Sequence, residues 1–164
     1  MTQFAPNTGT EQRYREALGR FATGVTVVTC QTDRGPLGIT ANSFSSLSLD
    51  PPLVLWAPAR ASQRFAAFEA AQHFAVHVLA EDQYALCAAY AQNGTQFVGV
   101  DWQSGDNGVP LIDNCLARFD CTQHAIYDGG DHAIIVGHVN AVTVRAGSPL
   151  IFANGSYGGV SSIG

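Results

Sequence analysis

The densest group of side chains able to do chemistry lies between Gly38 and Leu55, in the run GITANSFSSLSLDPPLVL. Thr40, Asn42, Ser43, Ser45, Ser46 and Ser48 supply hydroxyl and amide groups. A double proline then leads into the apolar Leu53-Val54-Leu55-Trp56. Short polar side chains donate hydrogen bonds and let a ligand come close to the backbone. A core strand has no need of so many hydroxyls, and a surface loop would not run into so apolar a segment. His132 is a second candidate. It follows the tight turn Asp128-Gly129-Gly130-Asp131, where glycine leaves room around an imidazole and Asp131 can orient it. An ordinary turn-flanking histidine is the competing reading. His73 and His77 stand four apart, but no third histidine or carboxylate has a position beside them, so no metal site is expected. Cys30, Cys87, Cys115 and Cys121 form no CxxC pair, and the last two fit no common zinc spacing. They are expected as buried, reduced thiols. There is no GxSxG elbow and no persuasive Ser-His-Asp or Cys-His arrangement.

Composition narrows the classes. The 164 residues are 46% hydrophobic and only 13% charged, which favours a folded chain over a disordered one. The formal net charge is -5 and there is no lysine. The eight basic residues are arginines scattered from Arg13 to Arg145, so no basic patch offers itself to nucleic acid. No apolar stretch is long enough to span a bilayer. Met1 to Thr10 is polar, without the apolar core of a signal peptide. These features lead to the expectation of a cytoplasmic protein, and the low charge suggests that some surface is buried in an oligomer.

The elements that must position these residues read as follows. Residues 1–10 form a flexible tail, and 11–164 one domain. Glu11 to Phe21 is an amphipathic helix with Tyr14, Leu18 and Phe21 on one face. Val25 to Gln31 is a strand, and Asp33-Arg34-Gly35-Pro36 turns it into a hairpin reaching about Leu47, with the hydroxyl-rich run on its second arm. Leu53 to Ala57 is another strand. Ser62 caps a helix through Ala70 that turns Phe65 and Phe68 inward. His73 to Leu79 alternates Phe74, Val76 and Val78 against His73, Ala75 and His77. A helix runs from Ala80 to about Ala91. Asn93 to Pro110 is irregular, anchored by Phe97 and Trp102. Cys115 to Ile126, His132 to Val144 and Pro149 to Ala153 are strands. Hairpins outnumber alternating βα units, and no GxGxxG follows a strand. The fold class expected is therefore mainly β with a few helices, an antiparallel barrel and not a Rossmann fold.

The order Gly-Ile-Thr-Ala-Asn-Ser-Phe, then Ser-Leu-Ser-Leu-Asp-Pro-Pro-Leu-Val, resembles the signature of the short-chain flavin reductases. These are the NAD(P)H:flavin oxidoreductase components of two-component flavin monooxygenases. Gly130-Asp131-His132, and Pro149-Leu150-Ile151 with Tyr157, extend the resemblance from about Tyr14 to Gly158. It implies an FMN-binding type of split β-barrel, a homodimer, and flavin near the subunit interface. It implies flavin contacts at Thr40, Ala41, Asn42, Ser43, Ser46, Ala61 and Ser62. A flavin phosphate needs cations or N–H donors, and Arg60, Ser62 and Arg64 are the candidates. The resemblance places His132 beside the nicotinamide as the catalytic residue and has Tyr157 close that site. Phe97 either walls the flavin or anchors its loop. Three positions depart from the pattern. Gln96 and Ser156 precede Phe97 and Tyr157 where many members carry a cation, and His77 replaces a usual asparagine close to the flavin. The implied activity is reduction of free FMN or FAD by NAD(P)H, with hydride transfer to N5 and delivery of reduced flavin to a partner monooxygenase. The absence of lysine leaves no obvious grip for the extra phosphate of NADPH and favours NADH. A flavin held as a fixed prosthetic group for another redox reaction, or a non-enzymatic flavin carrier, are the alternatives.

Overall fold

The computed structural model describes residues 2–161. Residues 1 and 162–164, at the ends of the expected tail and domain, lie outside that range. In chain order the elements are α1 (Glu11–Leu18), β1 (Thr23–Gly24), β2 (Thr26–Thr32), β3 (Gly35–Ala41), β4 (Ser45–Leu49), β5 (Pro52–Trp56), α2 (Phe65–Ala70) and β6 (His73–Val78). A 3-10 turn (Glu81–Gln83) then leads into α3 (Tyr84–Gln92), followed by β7 (Trp102–Ser104), β8 (Pro110–Ile112), β9 (Ala117–Gly129), β10 (His132–Val144), β11 (Ile151–Ala153) and β12 (Ser156–Gly158). The structure is mainly β with few helices, as the hairpin pattern predicts.

Seven strands form one sheet in the order β3-β2-β6-β9-β10-β5-β4, with every neighbouring pair antiparallel. Its two edge strands, β3 and β4, are consecutive in the chain and joined only by residues 42–44. Laid flat, seven strands would separate their edges by about 29 Å at the usual inter-strand spacing. The link from Ala41 to Ser45 reaches about 14 Å at most. The sheet must therefore curl until its edges approach. Register shifts between Val136 and Gly137, Val139 and Ala141, and Ser46 and Ser48 supply local bends.

This topology corrects the expected hairpin from Val25 to Leu47. The strand leaves β2 after Ala41, and Ser45–Leu49 pairs instead with β5. The hydroxyl-rich run is thus split between both sheet edges. Ser43 holds the crossing, because its Oγ accepts the Ala57 N–H at 2.9 Å and donates to the Ala57 carbonyl at 3.1 Å.

The core has two main parts, and β2 feeds both. Val28 and Cys30 pack with Val54, Trp56, Phe68, Phe74, Val76, Cys121 and Ile135. Val25 and Val27 pack with Leu79, Cys87, Tyr90, Phe97, Ile112 and Leu150. Burial on both faces explains why this stretch reads as a continuous apolar run without alternation. Helix α2 closes over the first part, with Phe68 edge-on to Trp56 at 5.1 Å. That helix begins at Phe65, so Ser62 is not its N-cap. Ser62 lies in a preceding turn, where its Oγ accepts the Arg64 N–H and its carbonyl accepts the Phe65 N–H. Helix α1 ends at Leu18 and buries none of its residues. Within the segment expected to be irregular, Trp102–Ser104 pairs with Pro110–Ile112.

Candidate functional site

Three stretches distant in sequence meet at the barrel seam. They are the end of β3 with the 42–44 crossing, the 57–64 segment after β5, and the β9–β10 turn. Ser43 ties the first to the second through Ala57. A bridge between Ala59 and His132, and a hydrogen bond from the Ala133 N–H to the Pro58 carbonyl, tie the second to the third. The candidates Thr40 to Ser46, Arg60 to Arg64 and His132 are thus brought into one connected region.

A cleft of ≈ 310 Å³ opens over the end of β3. Thr40, Ala41, Asn42 and Arg64 line it together with Val25, Ile39, Ala91, Phe152 and Tyr157. The wall is apolar and aromatic on one side and offers short polar groups on the other, the combination expected for a planar heterocycle. A groove of ≈ 850 Å³ adjoins it at Arg64, running past Ser62 between the β2–β3 turn and the end of α3.

The hydroxyls are not equivalent. Thr40 Oγ1 donates to the Cys87 carbonyl at 2.7 Å, and Ser43 is occupied by Ala57. Both therefore position backbone. Asn42 and Ser46 are exposed, and among the described residues no hydrogen bond engages their side chains. Arg64 is also committed. Its guanidinium donates to the carbonyls of Gly38, Tyr90 and Ala91, at 3.1, 2.6 and 3.1 Å. Arg60 reaches across to the β9–β10 turn, donating to the Gly130 carbonyl and pairing with Asp128 at 2.9 Å.

His132 starts β10 with its side chain 43% exposed and its Nδ1 2.7 Å from Asp131 Oδ1. That contact holds the Asp131 carboxyl below its ordinary value. Asp131 therefore does orient the imidazole. Tyr157 stands over the β3 end of the cleft, its ring edge-on to Tyr84 at 5.1 Å and tilted against Phe152 at 5.0 Å. Contact with the Cys87 thiol, reinforced by burial, pushes its hydroxyl up to about 12.

Two candidates sit elsewhere. Phe97 is buried in the second core cluster, edge-on to Tyr90 at 5.2 Å and to Trp102 at 5.2 Å. It anchors its loop and does not line the cleft. His77 is fully buried on β6 beneath β8. Its Nδ1 donates to the Val27 carbonyl at 3.0 Å, and its Nε2 accepts the Ile112 N–H at 3.0 Å. Burial pushes it down to about 4, so it is a neutral core histidine and not a group facing the cleft. Among the described residues no cluster suited to a metal ion occurs, and all four cysteines are free. No helix there is long and apolar enough to cross a membrane. Phe152 and Tyr84 beside Tyr157, and the pairing of the turn residue Asp128 with Arg60, escaped the sequence reading. Tyr84 and Asp128 meet the site through partners distant in sequence, so no spacing could signal them, whereas Phe152 faces Tyr157 across the short β11–β12 hairpin.

Comparison with known proteins identifies the family to which this fold belongs. Residues 18–161 match the family described as flavin reductase like domain. The FMN reductase (NADH) SmoA of Agrobacterium fabrum is 52% identical over 94% of this chain and 89% of its own. The HsaB reductase subunit of a flavin-dependent monooxygenase from Rhodococcus jostii is 40% identical over 91% of this chain and 77% of its own. Among solved structures, the NADH:FAD oxidoreductase of Streptomyces globisporus, in complex with NAD and FAD fragments, superposes with a TM-score of 0.90. It is 35% identical and covers 98% of this chain and 99% of its own. On the match over residues 18–161 and these likenesses, the chain belongs to the flavin reductase like domain family.

Proposed function

We propose that this protein is an NADH-dependent flavin reductase that reduces free FMN or FAD and supplies the reduced flavin to a partner monooxygenase. The observation that carries the reading is the seam where the 40–46, 57–64 and 128–132 stretches meet beside a cleft with one aromatic wall. When bound, the two substrates supply the redox chemistry, a hydride passing from nicotinamide C4 to flavin N5.

The chain's part is to bind, orient and exclude water. Thr40, Ala41 and Asn42 present the β3 backbone and short side chains to the flavin. Ser43 fixes that backbone through Ala57, and Ser46 offers a free hydroxyl. Ser62, which Ala61 precedes in the chain, faces the adjoining groove, where the ribityl phosphate would lie. Its size leaves room for the longer tail of FAD. His132, oriented by Asp131, meets the nicotinamide, and Tyr157 closes over it. Arg60 and Arg64 are committed to protein acceptors, which leaves Arg34 of the β2–β3 turn as the arginine free to meet the phosphate among the described residues lining the groove, an arrangement that suits release of the product. NADH is favoured over NADPH by the missing lysines and by the names of the relatives. A homodimer is part of the same reading. Leu49 is 97% exposed, and Leu47, Phe21, Val142 and Val144 also stand out of the single chain. Four free thiols suit the reducing cytoplasm.

Steady-state NADH oxidation by the purified protein, with and without FMN, FAD or riboflavin, tests the proposal. Turnover should rise and saturate with added free flavin. Flavin retained through gel filtration without such turnover would overturn it.

A further inference from the structure

Arg60 has the charge of a phosphate ligand, yet each of its hydrogen-bonding contacts points at the β9–β10 turn. Its backbone N–H donates to the Asp131 carbonyl at 2.9 Å. Its Nε donates to the Gly130 carbonyl at 3.3 Å. One Nη donates to the Asp128 carboxylate at 2.9 Å. The same guanidinium sits 5.4 Å over the Phe65 ring at the start of α2, which braces it from the helix side. All of the polar contacts therefore fall between Asp128 and Asp131, the residues that deliver His132.

We propose that Arg60 and Asp128 form a latch, a pair of positioning residues that seats the His132 turn against the 57–64 segment on the flavin side. The inference rests on the reading of His132 as the nicotinamide-side residue. The turn needs such a brace. Gly129 and Gly130 give it wide conformational freedom, and Gly130 adopts φ +77, where other residues are strained. An exposed ion pair adds little to global stability. Placement is a different matter, because an unbraced turn must be ordered when NADH binds, and that ordering cost falls on the affinity for NADH. The latch therefore sets geometry and leaves the stability of the fold nearly unchanged.

The two roles open to Arg60 predict opposite signs for one substitution. If its guanidinium were reserved for a flavin phosphate, Asp128→Asn would free it from a competing carboxylate and lower the KM for FMN. If it is a latch, Asp128→Asn loosens the turn and raises the KM for NADH while the KM for FMN stays put. Asp128 is 82% exposed, so its substitution leaves folding intact. The test is steady-state NADH oxidation with FMN by Asp128→Asn, Arg60→Gln, the double variant, the charge-swapped pair Arg60→Asp with Asp128→Arg, and His132→Ala.

Asp128→Asn and Arg60→Gln should each raise the KM for NADH about tenfold, with kcat and the KM for FMN changing less than twofold. The double variant should be no worse than either single one, and the charge swap should recover part of the loss. If His132→Ala raises the KM for NADH but Asp128→Asn does not, or if Asp128→Asn lowers the KM for FMN, the latch is overturned and the reading of His132 stands. If His132→Ala changes neither the KM for NADH nor the rate, the reading of His132 falls and the latch falls with it.

Discussion

His77 should make this protein acid-labile, and the size of the effect follows from its burial. The ring is sandwiched between an acceptor, the Val27 carbonyl, and a donor, the Ile112 N–H. Only the neutral tautomer with hydrogen on Nδ1 satisfies both. Protonating Nε2 would set N–H against N–H in a site with no solvent. Burial accordingly lowers the pKa from its ordinary 6.5 to about 4, with a smaller contribution from Arg118. The folded state binds the proton more weakly than the unfolded chain. The stability is therefore fully present above pH 6.5 and is lost as pH falls from there toward 4. At pH 4.5 the two pKa values give a loss of about 2.5 kcal/mol relative to neutral pH. Urea unfolding of the native protein and of His77→Asn, at several pH values between 7.5 and 4.5, isolates this group from the carboxylates. The variant should be less stable at pH 7.5 but should lack about 2.5 kcal/mol of the acid-induced decline. Parallel pH profiles in the two proteins would refute the reasoning.

Three further outcomes follow from packing and contacts. A Cβ on Gly38 would come within 2.6 Å of two Tyr90 ring carbons, so Gly38→Ala should cost about 1–3 kcal/mol of unfolding free energy by urea titration. Gly24→Ala, where nothing lies within 4 Å, should stay within about 0.5 kcal/mol as the control. Ser43→Ala removes both bonds to Ala57 and should destabilise by about 1–2 kcal/mol in the same assay, with weaker FMN binding by fluorescence titration. The Cys87 contact and burial push the Tyr157 hydroxyl up, so it stays protonated at neutral pH. Tyr157→Phe should keep the KM for NADH within about twofold, whereas Tyr157→Ala, losing the ring contacts to Tyr84 and Phe152, should raise it about tenfold, a change of about 1.4 kcal/mol.

The sequence was most informative where local pattern and tertiary demand agree. The alternation from His73, the glycine turn before His132 and the absence of βα units led to the right strands and the right class. It misled where a residue's partner lies far along the chain. Nothing in the run from Thr40 to Ser46 reveals that the chain abandons β2 at Asn42 to pair with β5, because the partners that decide it, Pro52 to Leu55, lie beyond the run. His77 has the spacing of a functional pair with His73, and only the strand at Pro110–Ile112 shows why it is a core residue. Arg60 and Arg64 read as free cations, but the carbonyls and carboxylate that engage them are contributed by residues between 26 and 70 positions away. The aromatic at Phe97 was equally suited to a ligand wall or a loop anchor until Tyr90 and Trp102 were found on either side of it.

The barrel seam also has a temporal side. Strands β9 and β10 close on each other through a two-residue turn, so the segment presenting His132 needs only local loop closure. The Asn42–Phe44 crossing becomes fixed only when β4 finds β5, β5 finds β10, and β2 finds β6 about fifty positions downstream. Contacts of that range come later in folding. The nicotinamide-side turn is thus expected to mature before the flavin-side strand end, so a half-folded chain would carry His132 in place with nothing opposite it. Pulse-labelled hydrogen exchange should find the β9–β10 amides protected ahead of the β5 amides that bond to β10, and the reverse order would contradict this sequence of events.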